Sequence, residues 1–509
     1  MVRKAVSSKQ VRAEAIAGYA VWAVAAAVAL VSARDYAGGW NDGSRLATVE
    51  CLVDYHTLAI DKSIFVDVPR IGFDPNRPFP YPLDDPNSFA GTKDKVLVGG
   101  RYYSHKPPIP SVLLAAEYFL WQKITGLTAR DRCDEFCYWM TLGSAGVGYV
   151  AAVVSPFYLA GLLGLPLVRR LELAASLAFA TVAVAYVRHV NDHIILLGVA
   201  SGLTLVLARL AQAFSSKGDE SGGGNSSLRA LWPRLALTGC LAGLAYTIDQ
   251  GAGPPLALAA GAVLAYRSRL NVKALTIFAM AAIPWVAAHH AINYSIGGTF
   301  APIGSVPEYF AWPGSPFDRQ NMTGVWNHPT PRDFLFYALR LLFAPGWGFL
   351  VHNLPLLLTL PGVFAIKRRR VAEWPEAAAL AGWCLASGLL YAALSVNHSG
   401  TCLSVRWFVP LLAGGYFLLS VLLRDEPRYH LGFLALTGLG CVLGAMMWAA
   451  GPWLEPDSPN FRNVQAAGAA CWIAWLIWAA WPRRSTGVGG AWTVTTKNQG
   501  NKENVNNAS

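Results

Sequence analysis

Apolar residues in this chain gather in long blocks instead of alternating with polar ones. Twelve blocks come near the roughly 20 residues that a helix needs to cross a bilayer core. They lie at about 15–33, 138–163, 172–188, 194–213, 232–248, 252–266, 273–291, 341–366, 376–396, 406–423, 431–450 and 466–482. A long polar stretch, 34–137, separates the first block from the second, and another gap covers 292–340. The pattern predicts an all-α polytopic membrane protein of about twelve transmembrane helices, with a long first extracytoplasmic loop that carries interfacial helices.

The short gaps fix the orientation, because lysine and arginine collect on the cytoplasmic side. Arg3, Lys4, Lys9 and Arg12 precede the first block, and Arg169-Arg170, Lys217 with Arg229, Arg267 with Arg269 and Lys273, Lys367-Arg368-Arg369-Arg370, Arg424 with Arg428, and Arg483-Arg484 occupy every second gap. The alternate gaps, 34–137 and 292–340 among them, then face outward. One further apolar run, Ile109 to Trp121, would break this parity if it crossed, so it is read as a helix at the outer interface with Tyr118 and Trp121 at headgroup depth. The first block is longer than the 7–15 residue core of a cleaved signal and reads as a retained anchor, although cleavage would leave the later parity intact.

Composition agrees with a lipid environment: 54% of the 509 residues are hydrophobic and 14% charged, against roughly 25% charged in a soluble domain. The net charge of +11 is the cytoplasmic half of the basic alternation, suited to anionic headgroups, and no basic soluble domain is present to bind nucleic acid. Of the eight cysteines, Cys240, Cys384, Cys441 and Cys471 fall in apolar blocks. Cys133 and Cys137 are close enough in sequence to pair in an oxidising compartment. The stretch Ser215 to Ser227, with Gly222-Gly223-Gly224, reads as a linker, and residues 485–509 as a disordered cytoplasmic tail.

The block centres are nearly free of charge, whereas acids, histidines and arginines sit at outward ends: Asp42, Arg45, His189, Asp192, His193, Asp249, His289, His290, His352, His398 and Arg406. A transporter places such groups near the midplane, so the pattern favours chemistry at the outer face. Asp42 is placed to act as a base near the bilayer, and Lys106, Arg101 and Arg406 to hold a phosphate. Arg45, His105, Asp192 and His193 form a possible supporting set. Asp42 also fits as the cap of a helix starting near Ser44, Lys106 as a snorkelling lysine, Asp192 and His193 as polar caps of a span, and Asp249 as a turn residue.

The string Asn41-Asp42-Gly43-Ser44-Arg45-Leu46-Ala47-Thr48-Val49, then Asp94-Lys95-Val96 and Gly100-Arg101-Tyr102-Tyr103-Ser104-His105-Lys106-Pro107-Pro108, resembles the first outer loop of GT-C-type integral-membrane glycosyltransferases. The likeness is greatest to their bacterial branch, labelled dolichyl-phosphate-mannose-protein-mannosyltransferase-like or ArnT-like. Asn191-Asp192-His193, Gly346-Trp347-Gly348-Phe349 and Val405-Arg406-Trp407-Phe408-Val409-Pro410 extend it to about residue 423. Residues 1–423 are accordingly expected to form the catalytic module, and 424–484 to add C-terminal helices.

The resemblance implies Asp42 as catalytic base, Lys106 as a phosphate contact, a polyprenyl-phosphate sugar as donor, and a glycan, lipid or protein as acceptor on the outer face of a plasma or inner membrane. A divalent cation is possible, with no ligands assigned. The chain departs from the pattern at His105, where relatives commonly carry an acid, and has no evident second acid beside Asp42. A transporter or flippase of lipid-linked glycans, and a non-catalytic scaffold, are the alternative readings.

The basic alternation makes one direct prediction. Single cysteines placed at Ser88 and Lys367 should label from opposite sides of the membrane, and labelling from the same side would refute the topology.

Overall fold

A computed structural model describes residues 8–68, 78–82, 90–215, 224–318, 320–326, 328–369, 371–454 and 458–480. The helices in chain order are α1 (Ser8–Ser32), α2 (Trp40–Asp54), α3 (Pro108–Thr125), α4 (Cys133–Thr141), α5 (Val147–Leu162), α6 (Leu167–Phe179), α7 (Ala183–Tyr186), α8 (Asp192–Ser215), α9 (Gly224–Ile248), α10 (Gly253–Arg267), α11 (Val272–Gly297), α12 (Pro331–Phe343), α13 (Phe349–His352), α14 (Thr359–Arg369), α15 (Trp374–Ala393), α16 (Leu412–Asp425), α17 (Tyr429–Ala450) and α18 (Pro459–Ala480). The protein is a helical, polytopic membrane protein. Among the described residues, eight stretches are long and apolar enough to cross a bilayer: α1, the continuous Cys133–Leu162 helix, α8, α11, α15, Arg406–Asp425, α17 and α18.

The other four expected spans take different forms. The block at 232–248 lies inside the 25-residue α9, which also carries Arg234. Helix α10 has 15 residues, about 22 Å at 1.5 Å per residue, short of a bilayer core of about 30 Å. The blocks at 172–188 and 341–366 are interrupted. The first breaks between α6 and α7, and the second runs through α13, a 3₁₀ turn at Leu354–Leu358 and α14, as expected around Pro345, Gly346 and Pro355.

Backbone groups freed inside a membrane must find partners within the protein, and the two interruptions supply each other. The Val182 N–H donates to Asn353 Oδ1 at 3.0 Å, while the Asn353 side-chain amide donates to the Phe349 carbonyl at 2.7 Å. Helices α5 and α8 pack closely because small residues face each other. A Cβ on Gly198 would stand 2.6 Å from the Gly148 carbonyl oxygen. This crossing sets the N-terminal end of α8, where Asp192 and His193 emerge.

The long segment after α1 has a core of its own, built from Leu46, Val49, Ile60, Phe65, Tyr118 and Phe136 among others. Helix α3 lies where the interfacial helix was expected. It packs on α2 with Leu114 and Ala115 buried and leaves Leu113, Phe119, Leu120 and Ile124 exposed. Tyr118 is fully buried within the protein, its hydroxyl donating to Asp54 at 2.9 Å.

The fold is not wholly helical. Strands β1 (Lys95–Val98) and β2 (Arg101–Ser104) form an antiparallel hairpin turned by Gly99-Gly100, both at positive φ. The segment between α11 and α12 covers it: Ile303, Phe310 and Met322 pack on Val96, and the Trp312 indole N–H donates to the Lys95 carbonyl at 3.1 Å.

Cys133 and Cys137 stand as separate buried thiols on α4, and all eight cysteines are free, which corrects the possible pairing. In the expected linker, 216–223 lie outside the described residues and 224–227 already belong to α9. The tail, 485–509, is likewise outside the described residues.

If the Asn353 bridge holds the two interruptions together, Asn353→Leu should destabilise the protein by roughly 1–3 kcal/mol, the cost of a buried unpaired donor. Thermal unfolding in detergent with amide exchange at Val182 measures this, and unchanged melting and protection would count against the bridge.

Candidate active site

The sequence Gly38-Gly39-Trp40-Asn41-Asp42 starts α2 four residues before Ser44, so Asp42 lies in the first turn and is not the cap. Its carboxylate accepts the Gly38 backbone N–H, and the Asp42 side chain is buried. Gly38 is required by crowding: a Cβ there would lie 2.6 Å from the His189 ring and 2.8 Å from Trp453. His189 Nδ1 stands 3.5 Å from Asp42 Oδ2. Burial, with Arg188 and Arg34 nearby, lowers the imidazole pKa to about 3 and keeps His189 neutral. Burial also raises the Asp42 pKa to about 7; backbone N–H groups of Gly38, Asp42 and Gly39 oppose this, and the charge of Asp94 adds to it.

Asp94 is therefore the second acid, whose place beside Asp42 the sequence did not reveal. The hairpin register, Lys95 opposite Ser104, puts Asp94 across from His105 and brings Lys106 Nζ to 2.6 Å from Asp94 Oδ2. Ser44 joins α2 to both strands, donating to the Asp94 carbonyl and sharing a 2.6 Å hydrogen bond with Ser104. Burial pushes the Asp94 carboxyl up, but Lys106 and neighbouring cations outweigh it and hold the pKa at about 2. Burial lowers Lys106 to about 8 against the pull of Asp94. His105 is half-buried against Phe310 and Phe317, with its pKa lowered to about 3 by desolvation and then by Lys106. The Gly-Gly turn between Val-Leu-Val and Arg-Tyr-Tyr was the sequence signal for this hairpin.

Arg45, one turn beyond Asp42, reaches α8: its Nη2 is 2.6 Å from Asp192 Oδ2, and both side chains are buried. With Nη2 paired to Asp192, the buried Nε and Nη1 of Arg45 have no hydrogen-bond partner among the described residues and remain as donors for an anion. Asp192 continues to His193 at 3.4 Å, and His193 to Asp249 at 3.5 Å. Asp249 keeps its turn role, accepting the Gly251 and Ala252 N–H groups at 2.9 and 2.8 Å, and also accepts the Tyr391 hydroxyl. Ligand atoms of Asp192, His193 and Asp249 lie within 4.8 Å of one another. Asp192 Oδ1 and His193 Nδ1 are buried without hydrogen-bond partners, and one carboxylate, one imidazole and a second carboxylate fit a divalent cation.

Arg406 joins the cluster, its charge acting on Asp94, His105, Lys106 and Asp192. The guanidinium lies 5.7 Å from the Trp453 ring centre, and its Nε is buried without a partner. Trp453 follows α17, beyond residue 423, yet packs at the start of α2; nothing in its local sequence marked it. Arg101 is not brought to the others and sits exposed beside the hairpin turn. His290 and His352 are held structurally, the first by Tyr246 and Phe300, the second by the Gly348 carbonyl.

Because the folded pKa of Asp42, about 7, exceeds the ordinary aspartate value of 3.8, its charged form destabilises the fold. That cost is complete above pH 7 and absent below about pH 4. Asp42→Asn should therefore stabilise the protein at pH 8, by up to roughly 4 kcal/mol, with the gain fading as the pH falls to 4. Equal melting of the two proteins across that range would contradict the assignment.

No family model and no curated protein matches the chain. Among solved structures it is similar to ArnT from Cupriavidus metallidurans in the apo state, at 11% identity over 92% of this chain and 76% of that one, with a TM-score of 0.45. The same protein bound to undecaprenyl phosphate matches at 14% identity over 93% of this chain and 71% of that one, with a TM-score of 0.44. The oligosaccharyltransferase of Archaeoglobus fulgidus in the apo form matches at 12% identity over 90% of this chain and 55% of that one, with a TM-score of 0.44. Both are GT-C glycosyltransferases, the class to which the sequence motifs were likened.

Proposed function

We propose that the protein is an inverting glycosyltransferase that moves a sugar from a polyprenyl-phosphate donor to an acceptor hydroxyl at the outer face of the membrane. The observation that carries this reading is the buried Asp42 carboxyl, with a pKa of about 7, set in a cluster that contains Lys106, Arg45 and Arg406. Asp42 takes the proton of the acceptor hydroxyl while that oxygen bonds to the anomeric carbon. The bond from that carbon to the phosphate oxygen breaks, and its electron pair stays on the phosphate.

The departing phosphate gains negative charge and needs cations more than a proton donor. Lys106 and Arg406 supply charge from one side, and the Nε and Nη1 donors of Arg45 supply it from another. Asp94 holds Lys106 in place. A divalent cation held by Asp192, His193 and Asp249 would add positive charge at the same end of the site. His193 and Asp249 otherwise support Asp192, and through it the position of Arg45.

The test is sugar transfer by purified protein from a polyprenyl-phosphate donor, with donor affinity measured in parallel. Asp42→Asn should lower turnover roughly 100-fold or more and leave donor binding intact, whereas Lys106→Ala should chiefly weaken donor binding. Activity of the wild type should rise with pH through about 7 as Asp42 loses its proton and fall above about 8 as Lys106 does. Near-normal turnover in Asp42→Asn would remove the base. Donor translocation in vesicles without a covalent product would favour a flippase instead.

A further inference from the structure

A cavity of about 750 Å³ opens at the other end of α8, between the ends of α5, α8, α9 and α10 and the start of α15. Arg209 on α8 lies 17 residues beyond Asp192, about 25 Å along the helix, so this cavity is separate from the cluster around Asp192. It sits at the end where the sequence concentrates its lysines and arginines. The volume lies within the roughly 300–1,000 Å³ range of small-molecule sites.

The charges in its wall are unequally satisfied. Arg267 makes two bonds of 2.6 Å to Glu376, and Glu373 is taken by Arg424 through two bonds of 2.8 Å. The side chains of Arg209 and Arg234 also line the cavity, and neither has an ion pair or hydrogen bond among the described residues. Both of these acids are thus occupied by other arginines, and among the described residues the two guanidiniums, from different helices, have no counter-charge of their own. Phe417 and the end of α5 give the same cavity an apolar wall.

We propose that this cavity binds a phosphate-bearing anion clamped between Arg209 and Arg234. A guanidinium offers a planar fork of donors that matches phosphate oxygens in pairs, and phosphate is the anion that lipid headgroups present at this depth. The same chemistry is available from an anionic phospholipid or from a soluble phosphate compound. The inference is independent of the function proposed for the candidate active site.

The test uses full-length protein. Native mass spectrometry after exchange into phosphatidylglycerol or phosphatidylcholine measures retained lipid, and calorimetric titration with inorganic pyrophosphate measures the soluble source. The wild type should retain phosphatidylglycerol over phosphatidylcholine, or bind pyrophosphate, and the combined Arg209→Gln and Arg234→Gln variant should bind roughly tenfold or more weakly. Arg269→Gln, at the same end but outside the cavity, should bind as the wild type does. Single Arg209→Lys and Arg234→Lys exchanges keep the charge but lose the fork and should give intermediate losses.

Lipid retention lost in the double variant supports a headgroup, and pyrophosphate binding lost in it supports a soluble phosphate. No binding of either by the wild type, or equal binding by the double variant and the wild type, overturns the proposal. Arg209 and Arg234 are both exposed, and an unchanged melting temperature without ligand confirms that the double variant folds.

Discussion

The end of this protein that carries the candidate site is organised by one buried ion pair, Arg45 with Asp192. Removing one partner of such a pair typically costs about 3–5 kcal/mol, because the other is left charged in a dry setting. The pair therefore ties α2, which belongs to the long segment after α1, to the start of α8, which belongs to the helical bundle. Once that connection is made, the neighbouring contacts have fixed partners. His193 reaches Asp249 in the turn between α9 and α10, Asp249 reaches Tyr391 on α15, and Ser44 on the same α2 holds the hairpin.

The interrupted helices serve the same end of the molecule. After α7 the chain turns through residues 187–191, and Asn191 closes that turn by donating to the Tyr186 and His189 carbonyls, both at 2.8 Å. Its side-chain oxygen then accepts the Ile194 N–H at 3.0 Å, which caps α8 in the manner of an Asn N-cap. The three residues Asn191-Asp192-His193 thus play separate parts. The first starts the helix, the second holds Arg45, and the third passes the chain of contacts to Asp249. A straight helix through 172–188 would not provide the turn that presents His189 to Asp42.

The sequence made the membrane class legible because apolar blocks and basic gaps are set by the bilayer, independently of packing. Asp42, Arg45, Lys106, Asp192, His193 and Arg406 were all visible as polar residues near block ends, and the structure brings them into one cluster. Arg101 failed because a strand's neighbouring residues do not share a direction, and this one falls at the exposed turn. Asp94 stood in the quoted motif, but its pairing with Lys106 depends on the hairpin, and Trp453 was missed because its role depends on contacts between distant segments. The two interrupted spans were read as continuous because hydropathy is insensitive to a Pro-Gly break whose freed groups are satisfied by another helix.

Asp42 and Asp94 show how position, and not residue type, assigns chemical roles. Both carboxyls are buried at one end of the bundle, and burial raises both pKa values. Asp94 touches Lys106 and stays ionised, with its pKa at about 2. Asp42 faces a neutral imidazole and backbone N–H groups, with no cation in direct contact, so its pKa settles at about 7. Pairs of titratable groups whose surroundings push them apart in this way divide the work between a proton carrier and a fixed charge. The fixed charge of Asp94 in turn holds Lys106 in place and helps to keep Asp42 from ionising too readily. Exchanging the two environments would reverse the roles without changing either side chain.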